Sequence, residues 1–189
     1  HFMDAAKSTR LLSFITKSMI KQACKTFRGT EYEFSINITN DDLQLGYLEE
    51  YLLRNAALYN IEPNRIVLEL LEDILSLDAG ITLKQLDSLR EKGFKFAIDD
   101  FGSESSNFSR LLEFQPHYLK IDGAFIKNIL TDEKSQIITS GIVHIANQMG
   151  IKTIAEYIHS EDVQKKIEEL GIDYSQGFIH GEPSRTIRR

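Results

Sequence analysis

The sequence predicts an α/β fold whose strands run parallel, and three observations support that fold class. Apolar, strand-like segments alternate with amphipathic helical segments along the 189 residues. No hairpin signal joins any two strands, and such alternation is typical of parallel strands buried on both faces, as in a doubly wound open sheet or a (β/α)8 barrel. No glycine-rich phosphate loop follows the first strand, which disfavours the dinucleotide-binding form of the open sheet.

Element boundaries follow from apolar spacing and from residues that cap or break helices. Apolar residues at helical spacing indicate a first helix before residue 28. The polar run at residues 40–42 is expected to cap the second helix, and three later helices each stop at a glycine. The predicted elements are helix 4–27, strand 32–39, helix 47–60, strand 65–72, helix 80–92, strand 94–99, helix 103–114, strand 117–122, helix 133–149, strand 151–156, helix 160–170 and strand 172–179.

Composition narrows the class of protein. With 22 Lys and Arg against 28 Asp and Glu, the formal charge is −6, which argues against binding to a nucleic-acid polymer. No apolar run approaches the ~20 residues of a membrane span. The single cysteine, Cys24, is expected to pack in a helix. We therefore expect a cytoplasmic domain without membrane contact of its own, within a parent protein that can itself be membrane-anchored.

Polar side chains fall late in each of the six predicted strands. Since the carboxyl ends of parallel strands meet at one end of the sheet, these residues should converge there, and in a barrel that end carries the active site. A buried ionised group costs several kcal/mol (~3 or more) unless it is paired or bound to metal. The residues are Asn37, Glu69, Glu72, Asp99, Asp100, Lys120, Asp122, Glu156 and Gln176.

The ligand chemistry of this set is rich in oxygen. Carboxylates and an amide suit Mg²⁺ or Mn²⁺, and adjacent Asp99 and Asp100 can serve two cations that lie about 3.5–4 Å apart. The five histidines show no metal-pair spacing, which disfavours a zinc protease site. Structural roles remain open for single members: Asp100 as a helix N-cap, Asn37 as a partner for strand backbone, and Glu72 as a support for a neighbouring loop.

The order of these motifs resembles the EAL-domain family, phosphodiesterases that hydrolyse cyclic di-GMP to linear pGpG. The resemblance extends from about residue 2 to about residue 183. The matching stretches are SINIT, ELLE, IDDFGSESS, LKID, IAEYIH and SQGFIHGEP, and their family patterns are N-hydrophobic-S/T, E-x-T-E, D-D-F-G-T-G-x-S-S, K-I-D, A-E-G-V-E and Q-G-x-x-x-x-x-P.

The resemblance assigns a role to each polar residue. Lys120 matches the lysine that holds or activates the attacking water, Glu156 the glutamate that serves the second metal, and Gln176 a glutamine that orders the site. Glu72 matches a glutamate that holds the loop at residues 101–108. The residues that match metal ligands, or the acidic neighbour in their motif, are Asn37, Glu69, Asp99, Asp100 and Asp122.

The chain also departs from the family pattern. No Glu-Ala-Leu tripeptide occurs in the sequence, so we expect a TIM-like (β/α)8 barrel of which residues 1–189 supply six strands, with two strands and the glutamate lying upstream. Leu71 replaces a threonine, and Ser103-Glu104 replaces Thr-Gly. Tyr157 and His159 replace the glycine and the second glutamate of A-E-G-V-E.

The expected activity is metal-dependent hydrolysis of cyclic di-GMP with two Mg²⁺ or Mn²⁺ ions. The substitutions at residues 104, 157 and 159 keep open a non-catalytic sensor of cyclic di-GMP or a protein scaffold. A metal-dependent lyase that uses Lys120 as its base is a third alternative. The resemblance further implies a homodimer and additional sensory or GGDEF-type domains in the parent protein.

Overall fold

The computed structural model describes residues 12–72, 74, 79–102, 108–184 and 187. It divides into two compact units, the first made of residues 1–70 and 76–96 and the second of residues 71–75 and 97–189. The six strands are parallel and lie in the sheet in the order in which they follow one another along the chain. The predicted parallel α/β class with six strands is confirmed.

The first unit places helices against two parallel strands. Its side chains Ile20, Cys24 and Leu52 are fully buried, and burial raises the pKa of the Cys24 thiol to about 11, so this cysteine packs as predicted. Its elements are α1 (Leu12–Thr26), β1 (Phe34–Ile38), α2 (Asn40–Gln44), α3 (Leu48–Tyr59), a 3₁₀ turn (Pro63–Arg65), β2 (Ile66–Leu71, whose last residue belongs to the second unit) and α4 (Ala79–Glu91).

The second helical region differs from its prediction. Instead of residues 40–42, Thr39 is the N-cap of α2, and Thr39 and Asp42 form a reciprocal capping box. Asp42 is fully buried because it also accepts hydrogen bonds from the hydroxyls of Thr16, at 3.0 Å, and Tyr47. Gly46, at a φ of +68°, then separates α2 from α3. The prediction that residues 40–42 cap the helix at 47–60 is therefore wrong, because these residues begin the separate helix α2, and the N-cap of α3 is Tyr47, which makes no side-chain cap hydrogen bond.

The second unit alternates strands with helices. Each of its strands pairs in parallel with the next strand along the chain. No helix among the residues described here is long and apolar enough to cross a membrane. The elements are β3 (Lys95–Phe101, which begins in the first unit), α5 (Phe108–Phe114), β4 (Tyr118–Ile121), α6 (Gly123–Lys127), α7 (Glu133–Gln148), β5 (Lys152–Ala155), α8 (Glu161–Glu169) and β6 (Tyr174–Ser175).

The last strand is shorter than the predicted 172–179. A Cβ on Gly177 would lie 2.2 Å from the carbonyl oxygen of Ile158, so only glycine permits this close approach. The Ile158 amide donates to Gln176 and the Ile179 amide donates to Ile158 at 3.2 Å. The backbone then turns, with the His180 amide donating to Gly177, and regular strand geometry stops at Ser175.

Candidate active site

Three carboxylates form an acidic cluster in the second unit. Asp99 and Asp100 lie near the end of β3, and Glu156 directly follows β5. One carboxylate oxygen from each lies within 4.8 Å of the others, so the three side chains could together hold a metal ion. The prediction that polar strand ends converge is therefore met in this unit.

Lys120 lies between two members of the acidic cluster. Its strand, β4, pairs with β3 on one side and β5 on the other, which places its ammonium between their carboxylates. The Nζ atom lies 2.7 Å from Asp99 Oδ1 and 2.8 Å from Glu156 Oε1. Lys120 is only 4% exposed. Burial of a lysine is tolerated where such pairing offsets its lost hydration.

The electrostatics of the cluster favour a cation. Burial raises the pKa of Glu156; the hydrogen bond and charge of Lys120 lower it, and the charges of Asp99 and Asp100 raise it. The pKa of Asp100 is also raised, by partial burial and by the charges of Asp99 and Asp122. Three carboxylates around one ammonium leave an excess of negative charge, which a divalent cation would neutralise.

A backbone irregularity sets the direction of the Asp100 side chain. Its φ is +54°, and the register of β3 against β4 shifts between Ile98 and Phe101. A bulge of this kind turns a side chain away from the alternation of a regular strand. Adjacent aspartates would otherwise point to opposite faces of the sheet. Asp100 thus lies inside a bulged strand, and the start of the predicted helix that it would cap, residues 103–107, lies outside the described residues.

Asp122 and Gln176 lie beside the acidic cluster in different ways. Asp122 is the N-cap of α6, and its Oδ1 accepts a hydrogen bond of 2.8 Å from the Ala124 amide. Gln176 extends the pairing of β6, because its amide donates to Ala155 at 2.8 Å and its carbonyl accepts from Ile158. Their predicted roles as metal-site acid and ordering glutamine stay predictions.

A pocket of about 520 Å³ adjoins the acidic cluster within the second unit. Glu156, Asp122 and Gln176 belong to both the predicted site and the pocket wall. The volume lies in the range of small-molecule sites, about 300–1,000 Å³. The remaining lining residues are Gly123, Ala124, Lys127, Tyr157, Ile158, His159, Gly177 and Phe178.

Glu72 contacts Gly102, near the start of the loop that the sequence predicts Glu72 to hold. Its Oε2 lies 3.5 Å from the amide of Gly102, at the long limit of a hydrogen bond. Gly102 has a φ of +98°, and a Cβ there would lie 2.8 Å from the ring of Phe125, so the position requires glycine. Residues 103–107, including the Ser103 and Glu104 substitutions, lie outside the described residues.

Asn37 and Glu69 are neighbours in the first unit. The parallel pairing of β1 and β2 places them opposite each other in register. Glu69 is 7% exposed, whereas Asn37 lies on the exposed face of its strand. The geometry thus brings these two predicted ligands together. Their assignment as metal ligands remains a prediction.

The donors of the acidic cluster fit Mg²⁺ or Mn²⁺. All three members offer carboxylate oxygen, and no histidine or cysteine joins them among the residues described. Hard divalent cations prefer such ligands, whereas structural zinc sites use nitrogen and sulfur. Burial is the first cause of the raised pKa values of Asp100 and Glu156, and the charges of neighbouring carboxylates add to it.

Sequence reasoning missed three residues that line the pocket. Lys127 ends α6, a helix of five residues that is too short to show a helical period. Phe178 and Tyr157 are 73% and 53% exposed. The available signal was an aromatic residue directly after Glu156 and another directly after Gly177, since both follow residues that the sequence already placed at the site.

Several known proteins with similar sequences are named cyclic di-GMP phosphodiesterases. Cyclic di-GMP phosphodiesterase PdeB of Shewanella oneidensis is 29% identical over 187 residues, which are 96% of this chain and 22% of that protein. The bifunctional diguanylate cyclase/cyclic di-GMP phosphodiesterase MucR of Pseudomonas aeruginosa is 30% identical over 190 residues, 96% of this chain and 27% of that protein. The chain thus spans about a quarter of the length of these relatives.

Solved structures with the same fold include two that contain cyclic di-GMP. The PaMucR phosphodiesterase complex with c-di-GMP has a TM-score of 0.90 at 27% identity, over 96% of this chain and 76% of that chain. The manganese and cyclic di-GMP complex of Klebsiella pneumoniae BlrP1 has a TM-score of 0.79 at 26% identity, over 90% and 43% of the chains. The predicted TIM-like fold class is confirmed by these likenesses. The profile of the EAL domain matches residues 1–183, and the chain therefore belongs to the EAL domain family.

Proposed function

We propose that this domain hydrolyses cyclic di-GMP to linear pGpG with the help of Mg²⁺ or Mn²⁺. One observation carries the proposal: in a member of the EAL domain family, three carboxylates within 4.8 Å surround a buried lysine at the ends of parallel strands. That combination suits phosphodiester hydrolysis, in which cations neutralise the phosphate while a positioned group directs water.

Lys120 orients the attacking water in this proposal. Its Nζ is held by Asp99 and Glu156, which fixes the ammonium beside the acidic cluster, where it can orient a water. Glu156, whose pKa is raised by burial, is proposed to hold the same water. Cations bound to the acidic cluster supply Lewis-acid stabilisation of the phosphate and lower the pKa of water.

Further residues complete the proposed site by the family resemblance. Asn37 and Glu69 are proposed as additional metal ligands, and Asp122 as an acidic neighbour of the metals. Gln176 borders the pocket and is proposed to order the substrate. Glu72 is proposed to hold the loop after β3 through the Gly102 amide.

The test is product analysis with the full-length protein. Cyclic di-GMP incubated with Mn²⁺ should yield pGpG, and EDTA should abolish the product. The Asp99→Asn variant should lose the activity while keeping the wild-type circular dichroism spectrum. Absence of pGpG from wild-type protein in both Mg²⁺ and Mn²⁺ would overturn the proposal.

A second candidate function is binding of cyclic di-GMP without hydrolysis. Tyr157 and His159, which line the pocket, stand where the family pattern has glycine and glutamate, and this observation supports it. Calorimetry with Mn²⁺ separates the two functions. Tight binding with intact ligand recovered afterwards supports a sensor, whereas recovery of pGpG supports the enzyme.

We also propose a cytoplasmic domain within a longer, multidomain signalling protein that forms homodimers. The bifunctional relative and the quarter-length coverage support additional domains. Light scattering of the full-length protein tests the dimer, and a monomer over the whole concentration range would contradict it.

A further inference from the structure

We propose that Tyr157 is a specificity-determining residue of the pocket, with its ring as the surface on which one base of the dinucleotide stacks and with Lys127 beside it. This inference rests on the proposed function, because it takes cyclic di-GMP as the ligand. It goes beyond that function by assigning a role to two residues outside the acidic cluster.

The backbone of Tyr157 is held in an unfavourable conformation. Its φ is +61°, a left-handed value that is uncommon for any residue except glycine and is disfavoured for a bulky one. The strained position directly follows Glu156 of the acidic cluster. Strain of this kind persists where the surrounding structure imposes it, and it concentrates at ligand sites.

The pocket wall that contacts Tyr157 has a glycine, Gly123, at the point of contact. A Cβ on Gly123 would lie 3.0 Å from the Cβ of Tyr157, closer than ordinary side-chain contacts allow. Gly123 directly follows Asp122, so the absence of a side chain there lets the tyrosine stand beside the start of α6. The segments that follow β4 and β5 therefore together fix the position of the Tyr157 ring.

The surroundings of the ring suit a flat, anionic ligand. The Tyr157 ring has the Lys127 ammonium 5.7 Å from its centroid and the His159 ring at 5.5 Å. More than half of Tyr157, 53%, is nevertheless exposed, and Phe178 on the same pocket is 73% exposed. Nucleotide bases stack on such exposed aromatic rings, and a nearby ammonium attracts phosphate.

The pocket also has the right position for half of the substrate. It shares Glu156 with the acidic cluster, so a dinucleotide whose phosphate lies at the cluster would place one base in the pocket. The pocket of about 520 Å³ is sufficient for one nucleotide moiety. Tyr157 and Phe178 then provide the apolar surface that such a base requires.

The experiment compares three variants of the full-length protein with wild type. Tyr157→Gly removes the ring and also relieves the left-handed strain, so folding is preserved. Tyr157→Phe keeps the ring. Tyr174→Ala is the matched control, because Tyr174 is 52% exposed in the same unit and does not line the pocket. Equilibrium binding of radiolabelled cyclic di-GMP in EDTA is measured together with kcat and KM in Mn²⁺.

Loss of one stacked base should weaken binding about five- to 150-fold. We expect Tyr157→Gly to raise Kd and KM by that factor with a smaller change in kcat, while Tyr157→Phe and Tyr174→Ala remain close to wild type. Lys127→Ala should raise KM more at low salt than at high salt. Unchanged or tighter binding by Tyr157→Gly would overturn the inference.

The two proposals fail in distinguishable ways. If wild-type protein binds cyclic di-GMP without producing pGpG, the proposed hydrolysis fails, and the role of Tyr157 is still decided by the binding of the glycine and phenylalanine variants. If wild-type protein hydrolyses the ligand and Tyr157→Gly leaves Kd and KM unchanged, hydrolysis stands and the assignment of Tyr157 fails. Absence of both binding and turnover overturns both.

Discussion

The two compact units each bury a charged side chain and surround it in opposite ways. In the first unit, Asp42 is fully buried and accepts hydrogen bonds from uncharged neighbours. In the second unit, Lys120 is buried between two carboxylates, with a third nearby. The first arrangement completes a hydrogen-bonding network, and the second leaves a charge unbalanced.

This difference separates a structural charge from a functional one. The partners of Asp42 come from α1, the N-cap of α2 and the segment before α3, so the carboxylate joins three helices. The pKa of the Tyr47 hydroxyl is raised, first by burial of that hydroxyl and then by its hydrogen bond to Asp42. In the second unit the pKa values of Asp100 and Glu156 are raised, first by burial and then by the neighbouring carboxylates, and such a group of acids suits a bound cation.

The largest expected effect comes from Lys120→Met. Loss of a residue that positions the reacting water lowers kcat by about 10²–10⁴-fold. Initial rates of pGpG formation at saturating cyclic di-GMP measure this effect. The matched control is Lys152→Met on the neighbouring strand, since Lys152 is exposed and pairs with Asp173. Equal loss of kcat in both variants would remove the distinction between the two lysines.

Metal binding should stabilise the second unit through the acidic cluster. A ligand that binds only the native state at 100 times its Kd raises the free energy of unfolding by about 2.7 kcal/mol. Thermal unfolding with and without Mn²⁺ should show this gain in wild type and a smaller gain in Asp99→Asn. Asp162→Asn, an exposed substitution in α8, serves as the control. A full gain in Asp99→Asn would exclude the acidic cluster as the metal site.

Asp42→Ala should affect stability and leave chemistry intact. Hydrogen bonds to a charged group contribute about 1.5–3 kcal/mol, so the free energy of unfolding should fall by at least that amount. Urea unfolding measures the loss. Asp41→Ala, in the same turn of α2 but exposed, should change stability far less. If Asp42→Ala lowered kcat while its stability stayed high, the structural reading of Asp42 would be wrong.

The smallest effect concerns Asp173 and depends on pH. Partial burial raises the pKa of Asp173, but hydrogen bonds from Lys152, at 2.6 Å, and from Thr153 outweigh it and leave the pKa lowered. The ionised carboxylate therefore contributes stability above its unfolded pKa of about 3.9, and this is lost as pH falls through the lowered native pKa.

The Asp173→Asn variant isolates that contribution. At neutral pH it should lose about 0.5–1.5 kcal/mol of unfolding free energy, the usual value of a hydrogen bond. The difference from wild type should shrink as the pH falls below about 4. Urea unfolding across this range measures it, and a difference independent of pH would contradict the assignment.

The sequence contained the information for the strands and for the acidic cluster. Parallel strands align their carboxyl ends. The late positions in the strands were therefore enough to predict that Asp99, Lys120 and Glu156 lie together. The sequence also predicted the boundaries of α7 and α8 closely, since their periods and terminal glycines are clear. These features depend on local spacing, which a single sequence displays.

Other features depend on geometry that a sequence does not display. The bulge that directs the Asp100 side chain appears as a register shift of β3 against β4. Helix α6 has five residues, too few to show a helical period. Tyr157 looked like a departure from a motif, and its importance follows from a positive φ and from its contact with Gly123. Contacts between distant segments decide each of these cases.

The contact of Gly177 with Ile158 has a consequence for mutational tolerance. Because any side chain at residue 177 would overlap backbone atoms of Ile158, at 2.2 Å from its oxygen, a saturation library should accept glycine alone there. Tyr157, directly before Ile158, lines the pocket at a φ of +61°, so a library there should favour glycine and asparagine beside the tyrosine. One backbone contact thus excludes every side chain at residue 177, while the neighbouring pocket position can gain or lose a ring without moving the strand end that carries Gln176.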